Sequence, residues 1–238
     1  MQSKSAAREI GIALGTAAVV IASEFFFRHY VTFWLPVVGN LLVTDSIALL
    51  LAYTFLLVAA RRLMHVKWRD EVAGIGQALI ELVTKWKGAG WLLLLVLAGS
   101  VLPVVDRLLW GQVSLPMAIS PYRNPTVWLA DQAPLLRAVS LVLVNGLFVP
   151  IAQGFLWRGV VQVRLLRMVP KWLADGLTAA LFSFKQVLVD ASLGRLLALT
   201  AFGVICGIVA AGKDWRQSAA LHLFANTTTS GWIWCSVR

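Results

Sequence analysis

Three short stretches set polar side chains inside otherwise apolar sequence, where such groups are costly and are candidates for function. The first is Gln153-Gly154-Phe155-Leu156-Trp157-Arg158, preceded by Pro150. The second is Phe182-Ser183-Phe184-Lys185-Gln186, and the third is His222-Leu223-Phe224-Ala225-Asn226. His222 and Asn226 are four apart, so both leave one face of a helix. Of these groups only His222 exchanges a proton near neutral pH. The carboxamides of Gln153, Gln186 and Asn226 donate and accept hydrogen bonds but cannot act as a general base. Arg158 brings a permanent charge with no acid one turn away, because position 154 is glycine. It therefore needs a partner, and Asp45, Asp175 or the lipid interface are the expected ones.

The elements that carry these residues follow from composition. In 238 residues, 59% are hydrophobic and 13% charged. A soluble domain carries roughly 25% charged residues, and the mean hydropathy here is +0.79. A soluble globule cannot bury so much apolar surface, so the chain belongs in a bilayer. Seven apolar runs have the length of a membrane helix: Ile10 to Phe27, Leu41 to Ala60, Gly90 to Val105, Leu135 to Trp157 or beyond, Trp172 to Val189, Leu193 to Ala211, and Ser218 to Cys235. The runs are continuous rather than alternating, which selects helices over a barrel. The fold class is thus all-α, a polytopic transmembrane bundle of about seven spans.

Between the second and third runs, Val72, Ile75, Leu79, Leu82, Val83 and Trp86 recur at helical spacing, with Glu81 and Lys85 on the other face. This predicts an amphipathic helix lying on the membrane surface. Residues 111–134 hold Pro116, Pro121, Pro125 and Pro134 and read as an outer loop. The pairs Gly11/Gly15 and Gly203/Gly207 have the small-xxx-small spacing of close helix packing. Residues 1–134 form an N-terminal membrane part, and 135–238 carry the polar stretches, within one membrane domain overall.

The net charge is +10, from 21 Lys and Arg against 11 Asp and Glu. No basic run is long enough for an arm or groove, so nucleic acid is not expected as a partner. The basic residues sit between apolar runs instead. With the N-terminus inside, Arg28, Arg107, Arg123, Arg195 and Arg238 fall outside, Arg137 and Lys185 fall in or at the edge of spans, and all the others fall inside. That bias predicts N-inside and C-outside. Trp34, Trp91, Trp110, Trp128, Trp172 and Trp215 lie near run ends, as in an aromatic belt. Cys206 and Cys235 do not make a disulfide framework. His29, His65 and His222 are scattered, so no metal and no cofactor are expected.

The three polar stretches resemble the motifs of the CPBP family, the CAAX-protease and bacteriocin-processing group also called Abi. Its members carry Glu-Glu-x-x-x-Arg, Phe-x-x-x-His and His-x-x-x-Asn on successive helices. The resemblance covers about Leu135 to Trp234. It implies that the first Glu and the two His activate water for intramembrane peptide hydrolysis. Arg158, Phe182, His222 and Asn226 match the pattern, whereas Gln153, Gly154 and Gln186 replace both glutamates and one histidine. The resemblance therefore points to an integral protein of a bacterial cytoplasmic membrane with degraded catalytic motifs. Its partners are the bilayer and a membrane peptide, lipid or protein held in the former active-site cavity. An endopeptidase with altered chemistry is the second reading, and a lipid or small-molecule transporter the third. By residue count Glu24 and Asp45 lie near the outer ends of their helices, away from His222. A Cys206–Arg158–His222 nucleophile scheme is weaker, because a cysteine on an apolar helix is ordinarily core. Oligomeric state is open.

Overall fold

A computed structural model describes residues 2–31, 41–64, 68–110, 134–190, 193–212 and 214–236. These residues are helical almost throughout. In chain order the helices are α1 (Gln2–Phe26, extended by a π-helical turn Phe27–Val31), α2 (Leu41–Met64), α3 (Trp68–Thr84), α4 (Trp86–Trp110), α5 (134–165), α6 (Lys171–Asp190), α7 (Leu196–Gly212) and α8 (Trp215–Ser236). Each of the seven apolar runs forms a helix. Among the described residues three helices are long and apolar enough to cross a membrane: Ala7–Tyr30, Gly88–Trp110 and Val139–Leu165. α7 is apolar over 17 residues. The predicted loop falls at 111–133, outside the described residues, as do Trp34, His65 and Trp128.

α5 is the central helix. The apolar window of Val139–Leu165 is 61% buried, whereas that of Gly88–Trp110 is 0% buried. α4 therefore stands at the edge of the bundle, and α5 runs through it. Two π-helical stretches widen α5, Val139–Phe148 and Gly154–Gln162. Pro150 falls in the α-helical turns between them. A proline has no N–H to give, so it is accommodated where the hydrogen-bond register already changes. α5 meets α1, α2, α6, α7 and α8, which brings the sequence's polar stretches toward one centre.

The amphipathic helix α3 is present, and its partner is protein. Ile75, Ala78 and Leu82 are buried, and the helix packs against α8 and α4. Glu71 pairs with Arg216 at 2.9 Å, and Gln217 donates to Glu81 at 3.2 Å. Val72 and Val83, expected on the same face as Ile75 and Leu82, are exposed instead, together with Ile80. Trp86 opens α4 rather than ending α3.

The glycine pairs divide. A Cβ on Gly203 would lie 3.0 Å from the Cα and Cβ of Ala179, so α7 and α6 pack backbone to backbone there. Gly11 and Gly15 meet nothing within 4 Å, and the expected close approach in α1 is absent among the described residues. Position 154 is the tightest contact on α5. A Cβ there would stand 2.7 Å from Ala219 Cβ and 3.0 Å from Ala219 Cα of α8. The space a glutamate would need at 154 is filled by another helix.

Gly154→Ala must push α5 and α8 apart and is expected to cost about 1–3 kcal/mol. Gly11→Ala fills open space in a helix and is expected to stabilise by up to about 1 kcal/mol. Thermal unfolding of the two variants in detergent, beside the parent, checks the opposite signs.

Candidate functional site

Gln153, Gln186, His222 and Asn226 line one cavity of about 650 Å³. The three motif stretches thus converge on one space. The cavity also takes in Leu95, Gly99 and Pro103 of α4, Val149 of α5 and Leu199, Phe202 and Ile205 of α7. A second cavity, of about 10 Å³, lies against it and is lined by Gly154, Arg158, Cys206 and Ser218. That is the space of about one water. Gln153, Phe182, Phe202 and His222 line both and form the wall between them.

The wall is aromatic. The His222 ring stands edge to face with Phe202, centroids 4.8 Å apart, and with Phe182 at 6.1 Å. Phe182 also meets Trp157 edge to face at 5.9 Å. Two cations lie over the Phe182 ring, Lys185 Nζ at 5.2 Å and Arg158 Cζ at 5.9 Å, both within cation–π range. Asn226 Nδ2 donates to the backbone carbonyl of Asn145 at 2.9 Å, and Thr227 Oγ1 to that of Gly146 at 3.3 Å. These bonds tie α8 to the first π-helical stretch of α5, whose widened turns turn carbonyls outward.

Gln153 belongs to a buried network that the sequence did not reveal. Its Nε2 donates to Tyr53 Oη at 2.7 Å. The Tyr53 hydroxyl in turn donates to Glu24 Oε2. Lys185 Nζ, with no exposed surface, lies 2.7 Å from the same Glu24 oxygen. Arg28 Nε donates to Asp45 Oδ1 at 2.7 Å, and Arg28 Nη1 reaches Glu24 Oε1 at 3.4 Å. Two acids and two bases sum to zero charge. Glu24 also lines the large cavity, as does His222. Counting residues from a span end gives depth but not direction, and α1 turns Glu24 inward. The one signal in the sequence was the presence of Glu24, Asp45 and Lys185 inside apolar runs.

Arg158 departs from expectation. It is 3% exposed, so it does not reach the lipid interface. No carboxylate lies in ion-pair range of it among the described residues. Asp45 is taken by Arg28, and Asp175 accepts from Gln162 Nε2. Arg158 Nη2 donates to the Gly203 carbonyl at 2.8 Å, while Nη1 has no hydrogen-bond partner among the described residues. Gln162, one turn further along α5, donates to the Gly207 carbonyl at 2.8 Å. The Gly203/Gly207 spacing thus opens two backbone carbonyls of α7 to two polar side chains of α5. A Cβ at 207 would lie 3.5 Å from both Asp175 of α6 and Gln162 Nε2 of α5, whereas at 203 the close neighbour is Ala179 of α6. Cys206, Arg158 and His222 do line the small cavity together, a grouping that was the weaker expectation. Among the described residues no group of three or more His, Cys, Asp or Glu stands together for a metal.

Residues 135–228 match the family model described as type II CAAX prenyl endopeptidase Rce1-like, of the CAAX-protease group that the three polar stretches resemble. No curated protein and no solved structure gives a match. The matched segment begins at the start of α5 and ends two residues past Asn226. Glu24, Arg28, Asp45 and Tyr53 of the buried network therefore lie outside it, on α1 and α2.

Breaking the buried pair leaves an uncompensated charge, so Lys185→Met and Glu24→Leu are each expected to cost about 3–5 kcal/mol. The double variant should lose much less than the sum, which a double-mutant cycle on thermal unfolding reads directly. Arg158→Met has the opposite sign. It gives up one hydrogen bond of about 1 kcal/mol but removes a buried guanidinium that costs about 2.5–3.5 kcal/mol in a membrane helix. A higher melting midpoint than the parent in the same detergent is the expected result.

Proposed function

We propose that the chain is a non-hydrolytic homolog of the CAAX-protease family, which binds a membrane peptide, lipid or partner protein in the cavity where its relatives do chemistry. The observation that carries this reading is the state of the carboxylates around His222. At the first motif position Gln153 can hold a substrate or a water but cannot take its proton. At the second, Gly154 is packed against Ala219. The nearest acid on the cavity, Glu24, has one oxygen engaged by Lys185 and Tyr53 and the other facing Arg28. A carboxylate so compensated gains little by accepting a proton, because doing so breaks its own ion pair. The space itself is retained at about 650 Å³, within the range of a small-molecule or peptide pocket.

The retained residues then serve recognition. Gln153 and Gln186 present neutral donors and acceptors, which suit an uncharged polar group such as an amide. Phe202 and Phe182 give His222 a fixed orientation. We place the protein in a bacterial cytoplasmic membrane with its N-terminus inside and its C-terminus outside, on the strength of the Lys and Arg bias. A second reading rests on one contact pattern: Glu24 and His222 line the same cavity, and an altered endopeptidase would use Glu24 in place of the missing motif acid.

The test is a carboxylate exchange. Gln153→Glu alone sets a second acid on the Tyr53 hydroxyl and is expected to destabilise. Combined with Glu24→Gln it keeps the net charge of the network, and stability should return toward the parent. Membranes containing the parent, His222→Ala or Glu24→Gln are then compared for new protein N-termini by mass spectrometry. The binding reading expects no product that depends on the parent, and expects co-purifying ligand that His222→Ala alters. Products made by the parent and lost in both variants would overturn it in favour of the endopeptidase.

A further inference from the structure

A third cavity, of about 230 Å³, lies at the end of the bundle where α3 meets α4, away from the motif residues. It is walled by Lys85 at the close of α3, Trp91 of α4, Lys171 at the start of α6, and Ile208 and Val209 of α7. Glu81 and Gln217 complete it. From these residues we infer that the cavity binds the phosphodiester headgroup of an anionic phospholipid, of the phosphatidylglycerol kind.

The charges support a monoanion. Two lysines from separate helices face one carboxylate. That carboxylate is already engaged, since Lys85 Nζ lies 3.1 Å from Glu81 Oε1 and Gln217 donates to Glu81 Oε2 at 3.2 Å. Among the described residues Lys171 makes no ion pair, and the acid one turn along α6, Asp175, accepts from Gln162 instead. Lys171 opens α6 and so stands at the positive end of that helix, whose Leu173 and Ala174 N–H groups are given to the Pro170 carbonyl. A basic pocket between membrane helices is a recurrent form of headgroup recognition.

The apolar walls select a lipid over a free anion. Val209 and Leu82 are buried at the back of the cavity, and Ile208 of its wall is 38% exposed. Ile80 and Val83 lie exposed on α3 just before Lys85, and Trp172 is exposed just after Lys171. Cations next to exposed aliphatic and indole surface suit a headgroup whose acyl chains leave along the helices. A zwitterionic headgroup carries the same phosphate but adds a cation that the lysines repel.

The test uses the full chain in mild detergent and native mass spectrometry, titrated with phosphatidylglycerol, phosphatidylcholine or inorganic phosphate. The parent is expected to retain one phosphatidylglycerol at concentrations where phosphatidylcholine is stripped. Lys85→Gln and Lys171→Gln should each weaken retention about fivefold, the fold-change that corresponds to about 1 kcal/mol per lysine. Both side chains are at the surface, so folding should survive. Arg61→Gln with Arg62→Gln removes two exposed charges from the end of α2, outside the cavity, and should leave retention unchanged. A loss in the Arg61→Gln, Arg62→Gln variant equal to that in either lysine variant would reduce the effect to net charge and overturn the site. Equal retention of the two lipids, or displacement of phosphatidylglycerol by phosphate alone at matched concentration, would overturn the lipid assignment.

Discussion

Charge buried in an apolar bundle has to be balanced inside the bundle, and the placement of four helices follows from that constraint. Glu24 and Arg28 of α1, Asp45 and Tyr53 of α2, Gln153 of α5 and Lys185 of α6 form one connected set of hydrogen bonds and ion pairs. Any of these ions alone costs several kcal/mol to desolvate. Together they are neutral, and each has its geometry fixed by the others. Hydrophobic contact between lipid-like helices gives little directional preference. A polar network with one satisfied arrangement gives a great deal. It orients α1 and α2 against α5 and α6, and so forms the side of the large cavity on which Gln153 and Glu24 stand.

The opposite side is set by glycine. Gly154 lets α8 approach α5, Gly203 lets α7 approach α6, and Gly203 and Gly207 hand backbone carbonyls to Arg158 and Gln162. A helix carbonyl has a second lone pair to offer, but only a side chain that comes close can use it. The guanidinium that lost its acid at 154 is thereby held by the α7 backbone and the Phe182 face. This arrangement leaves Nη1 without a partner beside a water-sized space. It supports the fold less well than a salt bridge does, and it explains how Arg158 persists in the interior without a carboxylate.

The parts of the fold that depend on long, one-dimensional patterns were legible in the sequence. Every continuous apolar run became a helix, and the amphipathic period of 68–84 became α3. That Gln153, Gln186, His222 and Asn226 line one cavity is what the structure adds to the motif order. What the sequence could not give was azimuth. Glu24 and Lys185 were visible as polar residues in apolar runs, but an apolar run has no polar face against which to orient them. A depth counted from its end left Glu24 far from His222. Tyr53 gave no signal, because a tyrosine in a membrane helix commonly marks an interface rather than a buried hydroxyl. The partner of Arg158 was misjudged for a related reason. The expected partners were carboxylates and lipid, whereas the acceptor is the main-chain carbonyl of Gly203, 45 residues away.

The network also bears on why position 153 is a carboxamide. Tyr53 Oη donates to Glu24 and accepts from Gln153. A carboxylate at 153 cannot donate, so it would meet the tyrosine oxygen with a lone pair and bring a third negative charge to two positive ones. With Glu24 and Asp45 in place, glutamine is the residue of similar shape that completes the set. Glycine at 154 is fixed independently by Ala219. The two missing acids therefore have separate physical causes, one electrostatic and one steric. Neither is reversed by restoring a single side chain, because each substitution is held by residues on other helices.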